Sequence, residues 1–197
     1  MRRKYDMTRR AKRQEETRRR IVEATVELHQ TVGMTRTTIS AIAEKAGVER
    51  LTVYRHFPDE RALFSACSAH YMGANPPPDP ASWTQITDPE ERLRTALSEV
   101  YAYHSRTEPM MANFVRDAPV KPVLVEVGTP YLQLFERMRY VLATGWGAED
   151  ERLALLLAAL GHALDFQTWR SLVRQQGLGD EQAVELMAKL MRCSMRD

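Results

Sequence analysis

Five hydrogen-bonding side chains fall within seven consecutive residues of this sequence. They are Arg50, Thr52, Tyr54, Arg55 and His56, and each of them can donate a hydrogen bond. Donors of this kind bind phosphate oxygens and the acceptor edges of bases. Arg50 is the strongest candidate for reading a base, because arginine can bond guanine O6 and N7 together; a phosphate contact is an equally supported alternative for it. The segment therefore points to nucleic-acid binding.

Two short helices joined at a glycine are predicted to position these side chains. Apolar residues recur at helical spacing over residues 39–46, and Thr38 precedes them as an N-cap. Gly47 follows at a position where a helix end usually needs a positive φ, which glycine adopts without steric cost. The second helix is expected over about residues 50–57. This pattern predicts a helix-turn-helix, whose second helix reads the DNA groove.

The same pattern resembles the tetracycline repressor (TetR) family of bacterial regulators. The matches occur in order over about a quarter of the chain: Arg20, Ile21, Ala24, Leu28, Gly33, Thr37, Thr38, Ile42, Ala43, Ala46, Gly47, Val48, Thr52, Tyr54, His56, Phe57 and Leu63. The resemblance implies an all-α protein. Its amino-terminal three-helix DNA-binding domain contains the helix-turn-helix and is joined to a carboxy-terminal helical bundle for ligand binding and dimerisation.

The candidate DNA contacts fall into two groups. The resemblance implies phosphate contacts at Thr38, Thr52, Tyr54 and His56. The side chains expected nearest to base edges are Ser40, Arg50, Leu51 and Arg55. The full set of expected DNA-binding residues is Arg36, Thr38, Ser40, Arg50, Leu51, Thr52, Tyr54, Arg55, His56 and Arg61.

Arg61 is included because the chain departs from the family at the preceding position. The family usually has a phosphate-binding lysine there, and this chain has Glu60. Either Arg61 takes over that contact or the contact is lost, and the first alternative is favoured. Asp59 and Glu60 suit the start of a helix with or without DNA.

Charge is unevenly distributed along the chain. Residues 1–61 carry 15 Lys/Arg against 9 Asp/Glu, and residues 62–197 carry 13 against 17. This asymmetry fits a nucleic-acid module joined to a domain that does not bind nucleic acid, and a solvated charged face is the alternative. Ten basic residues lie within residues 1–20. They are expected to follow the DNA backbone or enter a narrow minor groove, and a solubilising tail is the alternative.

A proline-rich segment, residues 74–80, is expected to separate a DNA-binding domain (1–72) from a ligand-binding and dimerisation domain (73–197). Helices are expected beyond it over about 88–106, 109–116, 119–144, 149–176 and 180–196. The third of these is expected to bend or break near residues 128–130.

Large, adaptable or half-polar side chains recur in these helices. As a set they suggest an apolar cavity for a medium-sized hydrophobic or aromatic effector, although each alone is more often a core residue. His104, His162 or Asp165 would fix the effector's orientation. The candidate ligand-binding residues are Tyr101, His104, Met110, Met111, Phe114, Tyr131, Phe135, Met138, His162, Asp165, Phe166 and Trp169.

A dimer interface is expected on the last two helices. Residues 153–164 are apolar on all sides, as in a helix that faces its own core and a partner. Leu156 is taken as interface-facing, and a second stripe contains Ala183, Met187, Leu190 and Met191. The resemblance implies a four-helix interface between two subunits. The alternative is a helix buried within one subunit.

The leading hypothesis is a homodimeric, cytoplasmic transcription regulator, most simply a repressor that a small effector releases from a palindromic operator. One alternative keeps the DNA module but gives the second domain a protein partner or no ligand. The other is an enzyme, which is not favoured because no nucleophile elbow or phosphate loop accompanies the polar residues. Cys67 and Cys193 form no metal-ligand spacing, so no metal or cofactor is expected. No membrane span is predicted, because the longest nearly apolar run is too short.

Overall fold

A computed structural model describes residues 2–194 and the side chains of residues 9–194. No strand occurs among these residues, which confirms the all-α prediction. The helices are α1 (Arg2–Thr31), α2 (Ile39–Ala46), α3 (Arg50–His56), α4 (Glu60–Ala74), α5 (Pro89–Asp117), α6 (Pro122–Ala143), α7 (Asp150–Leu164), α8 (Phe166–Arg170) and α9 (Asp180–Ser194). Short 3₁₀ turns lie at Pro80–Gln85 and Ala118–Val120, and a π-helical turn follows α8 at Ser171–Gln175.

The chain divides into two compact units. Unit one comprises Met1–Asn75 with Pro109–Gly128, and unit two comprises Pro76–Glu108 with Thr129–Asp197. Helix α5 contributes residues to both. The functional boundary expected between residues 72 and 73 stays a prediction. The sequence did not indicate that Pro109–Gly128 would belong to the same unit as the first 75 residues.

Pro109 lies inside α5, so the two helices expected on either side of it are one helix. A proline removes one N–H donor and one helical hydrogen bond, a local loss that packing on both sides can outweigh. Met110, which follows it, is buried with Met34 and Phe64 in unit one. Pro130 likewise lies inside α6, so the helix is not broken there; a bend or a break had been expected near residues 128–130.

The single helix expected over residues 149–176 is interrupted at Asp165. This residue has an extended backbone (φ −70°, ψ 137°), and its carboxylate accepts hydrogen bonds from the N–H groups of Gln167 (2.7 Å) and Thr168 (3.3 Å). An aspartate at an N-cap satisfies amides that have no partner in the first turn of a helix. Asp165 therefore ends α7 and starts α8.

Gly47 forms the corner between α2 and α3, as predicted. Its φ of 63° lies in the left-handed region, and its N–H donates to the carbonyl of Glu44 at 3.1 Å. At the other end of α2, the hydroxyl of Thr38 accepts a hydrogen bond from the N–H of Ala41 at 3.1 Å, which confirms the predicted N-cap. The sequence signals for both ends of α2 are thus local and correct.

An apolar core fixes α2 and α3 against α1 and α4. Its fully buried members share the helical spacing that the sequence showed: Ile21, Val22, Ala24, Ile42, Ala43, Ala46, Val53, Phe57 and Leu63. Val53 is the one buried residue of α3, and Phe57 directly follows that helix. The remaining side chains of α3 are therefore left to face away from the core.

The Asp117 carboxylate, at the end of α5, holds the turn between α1 and α2. Its Oδ2 accepts hydrogen bonds from the N–H groups of Met34 (2.7 Å) and Thr35 (3.1 Å), and its Oδ1 accepts from Arg116 Nε (2.7 Å). Burial alone would raise the pKa of Asp117, but the hydrogen bonds from Arg116 and Thr35 outweigh burial and lower the pKa to about 2.

Asn113, one turn earlier on α5, caps the end of α1. Its amide Nδ2 donates to the carbonyl oxygens of His29 (2.8 Å) and Gln30 (2.9 Å). The last carbonyls of a helix have no partner within the helix, so these bonds satisfy groups that would otherwise need water. Two residues of α5 thus fix both the end of α1 and the turn that follows it.

Replacing Asp117 with asparagine should destabilise the protein by about 2.5 kcal/mol at pH 7, because the fold lowers the pKa of this carboxyl from 3.8 to about 2 and a difference of one pH unit corresponds to about 1.4 kcal/mol. The carboxylate stabilises the fold above about pH 4 and loses this effect as the pH falls toward 2. In urea unfolding, the difference between wild type and Asp117→Asn should therefore shrink between pH 4 and pH 2. Glu126→Gln, at a half-exposed carboxylate of α6, is the control and should cost under about 1 kcal/mol. A difference that is equal at pH 7 and pH 3 would contradict this role of the charge.

Candidate functional site

Helix α3 exposes the side chains that were expected nearest to base edges. Arg50, Leu51 and Arg55 are exposed, and so is Ser40 on α2. Leu51 is 71% exposed, although leucine is normally buried. A bare apolar side chain among hydrogen-bond donors suits the major groove, where the thymine methyl group is the apolar feature of the base edges.

The residues expected to hold phosphates surround this surface. Tyr54 is 46% exposed, and Thr52 and His56 are partly buried on the side of α3 nearest α1. Thr38 is exposed; its oxygen accepts the capping bond, and its O–H remains a donor. Arg36 is also exposed, and its Nε donates to the carbonyl of Val32 at 2.8 Å. Their DNA contacts remain predictions.

A groove of about 740 Å³ runs between α1 and α3. Four arginines and one glutamate lie among its lining residues, so the groove is electropositive and attracts anions. The residues that line it are Arg10, Ala11, Arg13, Gln14, Glu15, Thr17, Arg18, Thr52, Arg55 and His56. Arg18 also lies over the ring of Phe57, with its guanidinium carbon 4.8 Å from the ring centroid.

This groove was not predicted from the sequence, although the sequence contains a signal for it. Helix α1 starts before Arg18, as expected, and its groove-lining residues recur at spacings of three and four. Residues at this spacing share one face of a helix. From Arg10 onward, the basic amino-terminal part of α1 thus forms one wall of this groove, and α3 forms the other. The side chains of residues 1–8 lie outside the described residues.

Arg61, the expected substitute for the family's lysine, forms an ion pair with Glu126 of α6. Lys121 pairs with Glu60 in the same part of unit one, at 2.6 Å. A phosphate would have to compete with Glu126 for the Arg61 guanidinium. The phosphate role of Arg61 therefore stays a prediction with an identified competitor.

Unit two brings most of the candidate ligand-binding residues together as an aromatic cluster. Ring centroids lie 4.5 Å apart for Tyr131 and Phe135, 5.9 Å for His104 and Phe135, and 5.5 Å for His104 and Phe166. Trp169 lies 5.6 Å from Phe166. We define the aromatic cluster as Tyr101, Tyr103, His104, Tyr131, Phe135, Phe166 and Trp169. Met138 is fully buried in the same unit, and Tyr103 was not anticipated.

Five of the other candidate residues lie elsewhere. Met110, Met111 and Phe114 belong to unit one, because α5 continues through Pro109; Phe114 packs against the core around Phe64 there. His162 is exposed, and its Nδ1 lies 3.1 Å from Thr168 Oγ1. Asp165 is also exposed, and its carboxylate caps α8. The candidate residues therefore do not form one set around a single cavity. Of the three side chains expected to orient an effector, only His104 lies in the aromatic cluster.

Tyr101 and His104 both bind the end of α7. The Tyr101 hydroxyl donates to the carbonyl of Ala163 at 3.0 Å, and His104 Nε2 lies 3.0 Å from the carbonyl of Leu164. These carbonyls lose their helical partners because the backbone turns at Asp165. Burial lowers the pKa of His104 to about 4, outweighing the opposite effects of the Leu164 hydrogen bond and Asp165.

Metal sites and membrane spans are both missing from the part of the chain that the structure describes. No group of three or more His, Cys, Asp or Glu side chains is placed there to hold a metal ion. None of the helices described is both long and apolar enough to cross a membrane.

The geometry of unit one defines a class of protein. A short exposed helix follows a glycine corner, its apolar residues anchor it to a small core, and an electropositive groove lies beside it. This is the arrangement of a helix-turn-helix DNA-binding module.

Comparisons with known proteins agree with that class. Residues 21–67 match the tetR family of bacterial regulatory proteins. The chain is 32% identical over 135 residues to the HTH-type transcriptional repressor KstR of Rhodococcus jostii, a match that covers 63% of this chain and 60% of that repressor. The match thus spans about three fifths of the repressor's length.

Solved structures extend the likeness to the whole fold. A TetR-like transcriptional regulator from Rhodococcus sp. RHA1 gives a TM-score of 0.64 at 19% identity, covering 89% of this chain and 93% of that one. The fatty acid degradation regulator FadR from Bacillus halodurans gives 0.61 at 17% identity, covering 89% and 94%. At such low identity these likenesses concern the fold alone. Residues 21–67 thus match the tetR family of regulatory proteins, and most of the chain shares the fold of TetR-like regulators.

Replacing Arg50 with alanine should cost about 1–3 kcal/mol at one base pair of each half-site, because a bidentate arginine contact discriminates between bases. Tyr54→Phe and His56→Ala, at positions expected to bind phosphates, should weaken binding to all duplexes alike. Fluorescence anisotropy with a selected site and with random duplex of equal length measures both effects. Equal losses on both duplexes for Arg50→Ala would show that this residue binds phosphate.

The groove between α1 and α3 makes a separate prediction about salt. Arg10→Gln with Arg13→Gln should reduce the slope of log affinity against log salt by about one for each lost phosphate contact. The control double variant, Arg9→Gln with Arg19→Gln, removes the same charge from exposed positions of α1 that do not line the groove. Equal slopes for the two double variants would mean that the groove does not hold the DNA backbone.

Proposed function

We propose that the chain is a homodimeric transcriptional repressor that binds a pseudo-palindromic operator and leaves it when a small hydrophobic or aromatic effector enters unit two. The observation that carries the DNA half of this proposal is the surface of α3, where Arg50, Leu51, Tyr54 and Arg55 are all exposed beside an electropositive groove.

Repression, rather than activation, is supported by the relatives. KstR is named as a transcriptional repressor, and FadR is named as a regulator of fatty acid degradation. What those proteins bind is not carried over to this chain. The exposed helix-turn-helix surface of unit one is the feature that fits this role, and it supports a regulator rather than an enzyme.

The homodimer is supported by exposed apolar residues on α7 and α9. On α7 the exposed residues Ala154, Leu155, Ala158 and His162 recur at helical spacing, and Leu155 is 63% exposed. On α9, Leu186 and Leu190 are exposed at the same spacing. Because these two helices pack against each other within one chain, a two-fold copy would form the four-helix interface that the resemblance implies.

This placement corrects the sequence prediction in detail. Leu156 is fully buried within one chain, and Ala183, Met187 and Met191 are buried as well. Their side chains point to the subunit's own core. Consecutive residues of a helix point in different directions, so a residue next to an exposed one can face the core. Of the residues named for the interface, Leu190 and, within residues 153–164, Leu155 are exposed, and we add the exposed Leu186 to the proposed interface.

Two-fold symmetry has a consequence for the operator. A dimer carries two copies of α3 related by one axis, so its site should contain two inverted half-sites about one helical turn, roughly 34–36 Å, apart. The effector would act by binding the form that does not fit this spacing. About 3 kcal/mol of difference in effector affinity between the two forms would weaken operator binding over a hundredfold.

A second candidate keeps the repressor but gives unit two a protein partner or no ligand. It is favoured by the close packing of the aromatic cluster, whose ring centroids lie within 4.5–6.4 Å of their neighbours. An effector would have to separate these rings. Operator affinity that does not change with any compound that raises the melting temperature of the protein would favour this second candidate.

The dimer is tested by placing a charge on the exposed stripe. Leu155→Asp with Leu190→Asp should give folded monomers that lose operator binding, because an unpaired charge buried at an interface is costly. Leu132→Asp is the control, since Leu132 is 50% exposed on α6 and lies outside the stripe. Sedimentation velocity and anisotropy are the measurements. A wild-type chain that sediments as a monomer at micromolar concentration and still binds a palindrome tightly would contradict the proposal.

A further inference from the structure

We propose that unit two binds a neutral, mainly aromatic effector that carries a hydroxyl or N–H donor, and that His104 Nδ1 accepts the hydrogen bond from that donor. This inference rests on the proposed function of unit two as an effector domain, and it adds the chemical class of the effector. It requires that Nδ1 be a free acceptor, that the surroundings suit an aromatic ring, and that other polar groups of the cluster be occupied.

The tautomer of His104 follows from its one hydrogen bond. Nε2 lies 3.0 Å from the carbonyl oxygen of Leu164, and a carbonyl can only accept. Nε2 must therefore carry a proton and donate it. In a neutral imidazole only one nitrogen is protonated, so Nδ1 then carries a lone pair.

His104 is neutral at physiological pH. The side chain is fully buried, and burial lowers its pKa to about 4 despite the opposing Leu164 hydrogen bond and Asp165 charge. A carboxylate would thus meet a lone pair rather than an N–H, and two acceptors repel each other. A ligand that brings its own donor is the complementary partner.

Nδ1 of His104 has no hydrogen-bond partner in the described part of the chain. Buried polar atoms without partners are uncommon, and those that persist often belong to functional sites. Five rings surround the imidazole at centroid distances of 5.5–6.4 Å, those of Tyr101, Tyr103, Phe135, Phe166 and Trp169. A single acceptor within an aromatic shell matches a flat ligand with one polar group.

Neighbouring polar groups of the cluster already have partners. The Tyr101 hydroxyl donates to the carbonyl of Ala163 at 3.0 Å, and Trp169 Nε1 donates to Asp180 Oδ1 at 2.9 Å. Breaking the Tyr101 bond to bind a ligand would leave the buried carbonyl of Ala163 unsatisfied, and Trp169 Nε1 is a donor that cannot accept from the ligand. His104 Nδ1 can accept a hydrogen bond without breaking an existing one.

Tyr131 and Phe135 mark the side of the cluster from which a ligand can enter. Both are partly exposed, whereas His104, Tyr101 and Trp169 are fully buried. An aromatic ligand that displaces them would replace ring-to-ring contacts with similar ones, so its hydrogen bond to His104 would be a net gain. The expected ligand preference therefore depends on the donor more than on ring size.

Three compounds that differ in one substituent separate these possibilities: 2-naphthol, 2-methoxynaphthalene and 2-naphthoate. Titration calorimetry on the full chain should show 2-naphthol binding about tenfold more tightly than its methyl ether, the effect of one hydrogen bond. The carboxylate should bind more weakly than 2-naphthol. Equal affinities for naphthol and ether, or tightest binding of the carboxylate, would overturn the inference.

His104→Phe keeps an aromatic ring and removes the acceptor, so it should abolish the preference for 2-naphthol over the ether. His70→Phe, at an exposed histidine of unit one, is the matched control and should keep the preference. A preference that survives in folded His104→Phe would overturn the inference.

Nitrogen-15 NMR of histidine-labelled wild type gives a readout that needs no variant to fold. His104 should show a protonated Nε2 and an unprotonated Nδ1 at neutral pH, and the Nδ1 signal should shift with 2-naphthol but not with its ether. The opposite tautomer, or an Nδ1 signal that 2-naphthol does not shift, would overturn the assignment.

Failure of this inference differs from failure of the proposed function. If all three compounds bind alike and weaken operator binding, unit two is an effector domain with no donor preference. If none binds at millimolar concentration while operator binding is intact, both this inference and the effector half of the proposed function are wrong, and the DNA half stands.

Discussion

Two backbone amides in the turn between α1 and α2 depend on a carboxylate more than 80 residues away in the sequence. The N–H groups of Met34 and Thr35 both donate to Asp117, which is 2% exposed. Because α2 begins a few residues later, this bond fixes where the helix-turn-helix starts. Asp117 lies near the end of α5, which is helical through Pro109.

Helix α5 also makes hydrogen bonds within unit two. His104 and Tyr101 satisfy the last carbonyls of α7 in unit two, whereas Asn113 and Asp117 satisfy α1 and its following turn in unit one. One continuous helix therefore carries polar anchors in both units.

The parts of the fold that sequence predicted well are those with local causes. The Thr38 cap and the Gly47 corner each follow from a short-range backbone requirement, and the exposed side chains of α3 follow from the apolar residues beside them. The family resemblance added the expected phosphate contacts, which composition alone does not give and which stay predictions. The groove between α1 and α3 was within reach of the same reasoning, since its arginines repeat at helical spacing.

The errors have tertiary causes. Pro109 reads as a helix end, yet burial of Met110 and the bonds of Asn113 sustain the helix through it. Residues 153–164 read as apolar on all sides, and only the packed structure shows that Leu156 faces the core while Leu155 is exposed. The candidate ligand residues were chosen by type, so Phe114 was grouped with residues of the other unit.

Selection of bound sequences from a random duplex library tests the central claim most directly, because the operator sequence does not have to be identified beforehand. The account predicts enrichment of one motif with two inverted half-sites about one helical turn apart, and loss of the preference at one base pair per half-site when Arg50 is alanine. Recovered sequences without a shared motif, at salt low enough for nonspecific binding, would contradict a role for α3 in reading DNA sequence.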